Sequence, residues 1–365
     1  MQKSLLALAV AAVAASSVAS AATVYDKDGT SLDMYGRVQG VVYSQDYLNT
    51  SASGDAGLVG SGRLGFDLRT PLTENIAAFA NAEWDVSDND SNDTFGSRYM
   101  WVGADFGQYG QLKAGRFEDA VYNGVTAMTD ILEDSGCVGQ LGDGDKRDGM
   151  FMYSWSGYGV DFMATYGTAK DGQSVDGAWY ADQELDIKNS YSVALGYTTP
   201  DILFAPISVK AGWGYAQFQD DKASAAITGA DRSYDNYSHW AAGLSWGADV
   251  GPFVAATYNK RDFHMNANNK GLDNYTVQGV EALVGYAFEN GVSLTTGYEW
   301  LNHDGNNQNS DAKVIPVYVN YNVTPNFNVW GEARFDVGTD DTAGKKVDFS
   351  EFEEDVYSVG ARYTF

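Results

Sequence analysis

From Asp355 to Phe365 the chain alternates Tyr357, Val359, Ala361, Tyr363 and Phe365 with Ser358, Gly360, Arg362 and Thr364. Period two is the signature of a β-strand with one apolar and one polar face. At the opposite end stand Lys3, an apolar stretch from Leu5 to Ala15, and Ala19-Ser20-Ala21. That is the three-part layout of a secretory signal, so residues 1–21 are expected to be a signal peptide and residues 22–365 one exported domain. A core of roughly 11 apolar residues is too short to span a bilayer as a helix, and no run of about 18 occurs elsewhere.

An exported chain without a spanning helix but with a greasy terminal strand points to a bacterial outer-membrane barrel. Composition agrees. Aromatics at 14%, 41 glycines and only 6 prolines describe many short strands joined by tight turns. The mean hydropathy of −0.31 is no obstacle, because a membrane barrel needs apolar residues only at alternate strand positions. Asp and Glu total 49 against 23 Lys and Arg, a formal charge of −26, which repels nucleic acid and attracts cations. Cys137 is the single cysteine. It precludes an intramolecular disulfide and is read as a tucked-away, unreactive loop thiol.

The alternation repeats along the whole chain. Arg63, Asp67 and Arg69 share one face while Leu64, Phe66 and Leu68 share the other; Trp240, Ala242, Leu244 and Trp246 oppose His239, Gly243 and Ser245. The same split sets Leu294, Tyr298 and Trp300 against Thr295 and Glu299, and Phe327, Val329 and Phe335 against Asn328, Glu332 and Arg334. Sixteen such segments begin near residues 32, 61, 75, 97, 110, 149, 159, 189, 206, 237, 252, 274, 292, 313, 327 and 355. They predict an all-β fold, a 16-stranded antiparallel transmembrane barrel with a polar lumen and an apolar outer wall. Short connections (among them 70–74, 105–110 and 289–291) alternate with long ones at 44–60, 86–96, 169–188, 218–236, 262–273, 302–312 and 338–354. The short ones belong to the periplasm and the long ones to the outside.

Several motifs fail on context. Gly60-Ser-Gly62-Arg-Leu-Gly65 fits a dinucleotide fingerprint, but a strand pattern follows where a helix must start. Gly243-Leu-Ser245-Trp-Gly247 fits a nucleophile elbow, yet Ser245 sits mid-strand and His239 lies six residues off, ~20 Å at ~3.3 Å per residue. Asp88-Asn-Asp90-Ser-Asn92-Asp93 lacks the glycine and closing glutamate of a calcium loop. It reads as a solvated loop, or as a divalent bridge to lipopolysaccharide or a latch onto a neighbouring subunit. His239, His264 and His303 have no ligand spacing. No enzyme, metal site or cofactor is expected.

The longest interruption, about Glu118 to Lys146, is too long for a passive connection. In a sixteen-stranded barrel, wide enough for an aqueous channel, a loop of that length is able to fold inward. Tyr25-Asp-Lys-Asp-Gly29, Leu32-Asp-Met-Tyr-Gly-Arg37, Arg63-Leu-Gly-Phe66, Tyr122 through Thr129-Asp130-Ile-Leu132, and Tyr363-Thr-Phe365 together resemble the general diffusion porins of Gram-negative bacteria, the enterobacterial type. The resemblance implies a trimeric barrel whose third loop lies in the pore. It implies a constriction with a basic side of Arg37, Arg63 and Arg98, with Lys146 or Arg147 as a fourth, facing an acidic side of Asp130 and Asp134. It also implies that the assembly machinery reads the last strand through Tyr363 and Phe365. The loop tip departs from the family: Glu133, Asp134, Ser135, Gly136 and Cys137 stand where Pro-Glu-Phe-Gly-Gly is common. Losing the proline frees a backbone angle, losing the phenylalanine removes a packing anchor, and Glu133 adds a charge.

Charges opposed across ~8 Å at an effective dielectric constant of ~20 to 80 interact by about 0.5 to 2 kcal/mol. That orients dipolar solutes without trapping them. The expected function is therefore passive diffusion of small hydrophilic solutes and ions, with cations preferred, by a homotrimer embedded in lipopolysaccharide and outer-membrane lipid. The alternatives are a substrate-specific channel, which needs aromatics or one-signed charges along the lumen, and an adhesive or structural barrel with a plugged lumen.

Overall fold

The computed structural model describes residues 21–44, 57–87, 95–142, 145–180, 184–219, 234–266, 273–340 and 346–365. The expected signal segment, and the calcium-loop-like residues 88–93, lie outside or almost wholly outside these ranges.

Among the described residues eighteen strands follow one another: β1 (Ala22–Lys27), β2 (Thr30–Tyr43), β3 (Gly57–Pro71), β4 (Ala77–Ser87), β5 (Gly96–Asp105), β6 (Gln111–Phe117), β7 (Arg147–Gly157), β8 (Val160–Gly167), β9 (Lys170–Gln173), β10 (Leu185–Thr198), β11 (Ile207–Phe218), β12 (Tyr234–Gly247), β13 (Gly251–Met265), β14 (Tyr275–Ala287), β15 (Val292–Gly305), β16 (Gln308–Thr324), β17 (Phe327–Asp336) and β18 (Val356–Thr364). Each of β2 to β8 pairs with the next, β8 pairs with β10, β10 to β18 pair in order, and β18 returns to β2. Every pairing is antiparallel, so a closed ring of sixteen strands results. The short β1 and β9 are additions that extend the ladder beside β2 and β10. Closure leaves no row of unpaired amides facing lipid. It is completed by the final residue, where Gly36 N donates to Phe365 O at 2.8 Å and Phe365 N to Gly36 O at 2.9 Å.

Alternation sorts side chains as the sequence predicts. Outward Val38, Leu58 and Val359 are 63%, 73% and 64% exposed, whereas inward Glu281, Glu299 and His239 are at most 1% exposed. An apolar wall facing out and a polar wall facing in invert the arrangement of a water-soluble barrel. At the short-turn end, Tyr109 and Tyr158 stand exposed, as interfacial aromatics do.

Two expectations need correction. The long connection expected at 302–312 is a two-residue turn: β15 runs to Gly305, β16 starts at Gln308, and Asn306 and Asn307 adopt φ of 57° and 58°. The Asn and Asp density that read as loop instead supplies ladder contacts, with Trp300 Nε1 donating to Asp311 Oδ1 at 2.6 Å and Asn302 Nδ2 to Asn309 Oδ1 at 2.9 Å. Asparagine is among the few side chains that tolerate two successive left-handed positions, which a tight hairpin requires. The second correction is that the inward face is not polar throughout. Over the long-connection half of β10 to β16 it carries Ile187, Phe218, Tyr234, Tyr237, Phe263, Tyr275, Val277 and Val314, all buried.

Placing valine at both Asn306 and Asn307 forces β-branched residues into left-handed backbone at about 1–2 kcal/mol each. The urea midpoint of the refolded barrel is expected to fall, while Asn307→Gly holds it or raises it; an unchanged midpoint in the valine pair contradicts the hairpin.

Candidate functional site: the lumen constriction

The connection from β6 to β7 turns into the barrel. Asp119 caps its entry, its Oδ1 accepting from Val121 N and Tyr122 N at 2.9 and 3.0 Å and starting the short helix α1 (Ala120–Gly124). Val121 and Val125 then rest over Gly212. Met128 rests over Gly243, and Thr129 Oγ1 meets Thr257 Oγ1 at 2.9 Å. Gly139 lies backbone to backbone on β14: a Cβ on Gly279 would overlap the Gly139 carbonyl, and one on Gly139 the Val280 carbonyl. Absent side chains on the wall thus open the track that the loop follows.

Three buried carboxylates on inward strand positions hold the loop there. Glu332 accepts from the backbone N–H groups of Glu133 (2.7 Å), Asp134 (3.1 Å), Ser135 (2.6 Å) and Gly136 (2.9 Å). Glu299 accepts from Cys137 N and Val138 N at 3.0 and 3.1 Å, and Glu281 accepts from Thr129 Oγ1. Each bond to Glu332 and Glu299 satisfies a backbone amide that would otherwise lack an acceptor inside the barrel. The missing proline is therefore used, since an uninterrupted run of amides is what Glu332 and Glu299 grip. The anchor is electrostatic where the sequence suggested that an aromatic anchor had been lost.

The arginines expected to form the basic side do gather. Arg37 and Arg63 are directly paired across β2 and β3. Arg98 is the extra residue at a bulge opposite Glu83 and Trp84, which brings it to the lumen beside Tyr99. Arg63 Nε lies 2.9 Å from Asp85 and 3.4 Å from Glu83; Arg98 Nε lies 3.0 Å from Glu83, and its Nη1 3.6 Å from Asp85. These side chains stay open to the lumen, 20% exposed at Arg63, 25% at Arg98 and 45% at Asp85. Arg37 stands in the combined field of Arg63, Arg362 and Arg98, with Glu133 as the opposing charge.

The other expected residues each have partners of their own, and Lys146 lies over the same Tyr99 ring as Arg98. Lys146 Nζ binds Glu118 at 2.9 Å at the foot of the loop, where Tyr99 also donates to Glu118. Arg147 is buried and donates to Ser190 Oγ and towards Met150 Sδ, away from the arginine row. Asp134 reaches into the wall, accepting from Tyr43 (3.0 Å), Trp330 (2.8 Å) and Ser358 (2.5 Å). Asp130 accepts from Tyr122 Oη at 2.5 Å. Glu133 at the loop tip meets a base, gripped in bidentate fashion by Arg362 at 2.8 and 2.5 Å. The polar faces of β4, β15, β17 and β18 already put Glu83, Asp85, Glu299, Glu332 and Arg362 in the lumen, but nothing in the pattern told which height each occupies. Cys137 packs its Sγ 3.8 Å from Thr129 O and 3.7 Å from Asp130, and burial pushes its thiol well above the usual range. That environment disfavours the reactive thiolate.

Replacing Glu332 by Leu leaves four amides without their acceptor, a loss on the order of 3 kcal/mol. The expected outcome is a folded, heat-modifiable barrel whose open-channel current becomes noisy as the tip wanders. A quiet current of wild-type amplitude contradicts the anchoring.

The family profile described as Gram-negative porin matches residues 7–342. Outer membrane porin PhoE of Citrobacter freundii is 29% identical over 318 residues, covering 82% of each chain. Among solved structures, OmpF of Salmonella typhi in complex with daunomycin superimposes with a TM-score of 0.73 at 19% identity, covering 94% of this chain and all of that one. An anion-selective porin from Comamonas acidovorans superimposes at 0.68 and 15% identity, covering 92% and 100%. At such identities the two structures speak for the fold, and the profile match speaks for descent. With a closed sixteen-stranded barrel and an inward third loop in place, the chain belongs to the Gram-negative porin family, a channel of the outer membrane and not an enzyme.

Proposed function

We propose that this porin is a general diffusion pore, passing small hydrophilic solutes and ions passively with a preference for cations. The observation that carries the reading is the partly exposed row of Arg63, Arg98 and Asp85 beside an anchored inward loop. It supplies fixed charges of both signs on a wetted surface, which favours polar solutes and binds none tightly. The cation preference rests on pairing. Arg63 and Arg98 share Glu83 and Asp85, and Arg362 is matched by Glu133. Paired charges present short-range dipoles, whereas the chain's excess of 49 acidic over 23 basic residues sets the longer-range potential seen by an approaching ion. Such a potential decays over about 8–10 Å at physiological salt, so the preference weakens as salt rises. The anion-selective relative shows that the fold itself does not choose the sign.

The same reading assigns roles at the edges of the molecule. Residues 1–21 act as the export signal and 22–365 as the porin domain. Three copies assemble as the family resemblance implies, in contact with lipopolysaccharide and lipid through the apolar wall. The assembly machinery takes the last strand by Tyr363 and Phe365; the exposed Tyr363 ring and the terminal pairing of Phe365 with Gly36 support this.

Purified protein in a planar bilayer under a potassium chloride gradient tests the function. Stepwise openings with a cation-shifted reversal potential are expected, the shift shrinking at high salt. Glu133→Gln, which leaves Arg362 without its charge partner, is expected to move the reversal potential towards anions. Silence from a folded barrel points instead to a plugged, structural role, and an anion-shifted wild type overturns the proposed sign.

A further inference from the structure

A water-filled barrel keeps its inward positions polar. This one carries a few apolar inward residues on β2 to β6, such as Val41 and Phe117, but gathers a far larger inward apolar cluster on the long-connection half of β10 to β16. Bulges between Ile187 and Asn189 in β10, and between Tyr234 and Asn236 in β12, shift the alternation there so that Ile187 and Tyr234 also turn inward. They join Phe218, Tyr237, Phe263, Tyr275 and Val277 in one buried apolar face. Left wet, that face would be the costliest surface in the lumen.

It is covered by the connection between β9 and β10. Val175 and Tyr180 are buried against it, with Trp179 edge-on to His303 and Phe349 at ring-centroid distances of 5.8 and 5.3 Å. Gly177 adopts φ +82°, and a Cβ there would press on Val277 and Phe263 at 3.1 and 3.2 Å. The backbone is fixed as closely as the side chains. Tyr275 Oη donates to Gly177 O at 2.9 Å, Tyr180 N donates to Tyr234 Oη at 3.0 Å, and Tyr180 Oη meets His303 Nε2 at 3.1 Å. Finally, the buried Arg261 guanidinium ties this connection to the third loop. Its Nη1 donates to Asp176 O at 2.9 Å and its Nη2 to Asp145 Oδ2 at 2.6 Å; Asp176 Oδ2 in turn accepts from Gly142 N at 2.7 Å, and Asp176 N donates to Asp145 Oδ1 at 3.1 Å.

We propose that residues 175–180 are a second, permanently inward loop, clamped to the third loop by Arg261, that confines permeation to the arginine-lined side of the barrel and sets the size limit jointly with the third loop. The inward aromatics of β11 to β14 are then an internal core for this loop and not a solute-binding ladder. Width is lost on one side only, so the solutes that remain admissible must pass along Arg63, Arg98, Glu83 and Asp85. The inference rests on the porin reading above, but fails separately from it.

The test compares wild type with two variants in bilayers and in liposome swelling with sugars of increasing size. One variant replaces residues 175–180 by Gly-Ser. The other is Arg261→Gln, which removes the clamp and keeps the chain length. Both are first checked for heat-modifiable barrels. The wild-type current reports on the porin reading alone; the ratio of variant to wild type reports on the second loop. Conductance raised by about 1.5-fold or more, as the wetted cross-section grows, with entry of sugars that wild type excludes, is expected for the excision. Arg261→Gln is expected to fluctuate between the two levels. Wild-type conductance and cut-off in whichever variant folds overturn the proposal.

Discussion

In a bilayer no water is at hand for an unpaired amide, so a strand-built wall has to close on itself. Here closure depends on one pairing between segments distant in sequence, β18 with β2. Everything inside follows from that ring. Once the sheet is closed, each strand has one face towards lipid and one towards the lumen, and a shift of a single residue would put Arg63 in lipid and Leu64 in water. Arg37 and Arg63 therefore stand together because register and closure leave their side chains no other direction, and Arg98 joins them only because a bulge adds a residue to its strand.

The lumen is then furnished by two kinds of contact. The third loop is held by carboxylates that accept bare backbone amides, Glu332 and Glu299 taking six consecutive residues from Glu133 to Val138. The connection carrying Val175 to Tyr180 is held by apolar burial and by Arg261. The first kind leaves a polar, hydrated margin beside the loop. The second removes a sector of the lumen from water altogether. Their junction at Asp145, Asp176 and Gly142 makes the two loops one body.

Much of this was legible in the sequence, because period two reports directly on which medium each residue meets. Strand number, inward Arg63 and Glu299, outward Leu244 and Tyr363, and the long third connection all follow from it. What escaped has physical reasons. Asn306-Asn307 read as loop because asparagine serves both flexible segments and left-handed turns. Lys146 and Arg147 are adjacent, and alternation alone did not say which would face the lumen; Lys146 pairs with Glu118 over the Tyr99 ring that also flanks Arg98, while Arg147 is buried against Ser190. Of the inward aromatics on β11 to β14, Tyr234 lies beyond a bulge, where the alternation slips; Phe218 and Phe263 keep the phase of their strands but fall within stretches, 218–236 and 262–273, that read as loop.

The sorting of Arg63 into water and Leu64 into lipid is open to direct measurement in a Cys137→Ser background. Cysteines placed singly at 63 and 64 are challenged with a charged, membrane-impermeant thiol reagent while the current through the reconstituted channel is recorded. Reaction at position 63 with a stepwise loss of current, and silence at position 64, is the predicted result. Block through position 64, or an inert cysteine at 63, would contradict the inside-out barrel on which the channel depends.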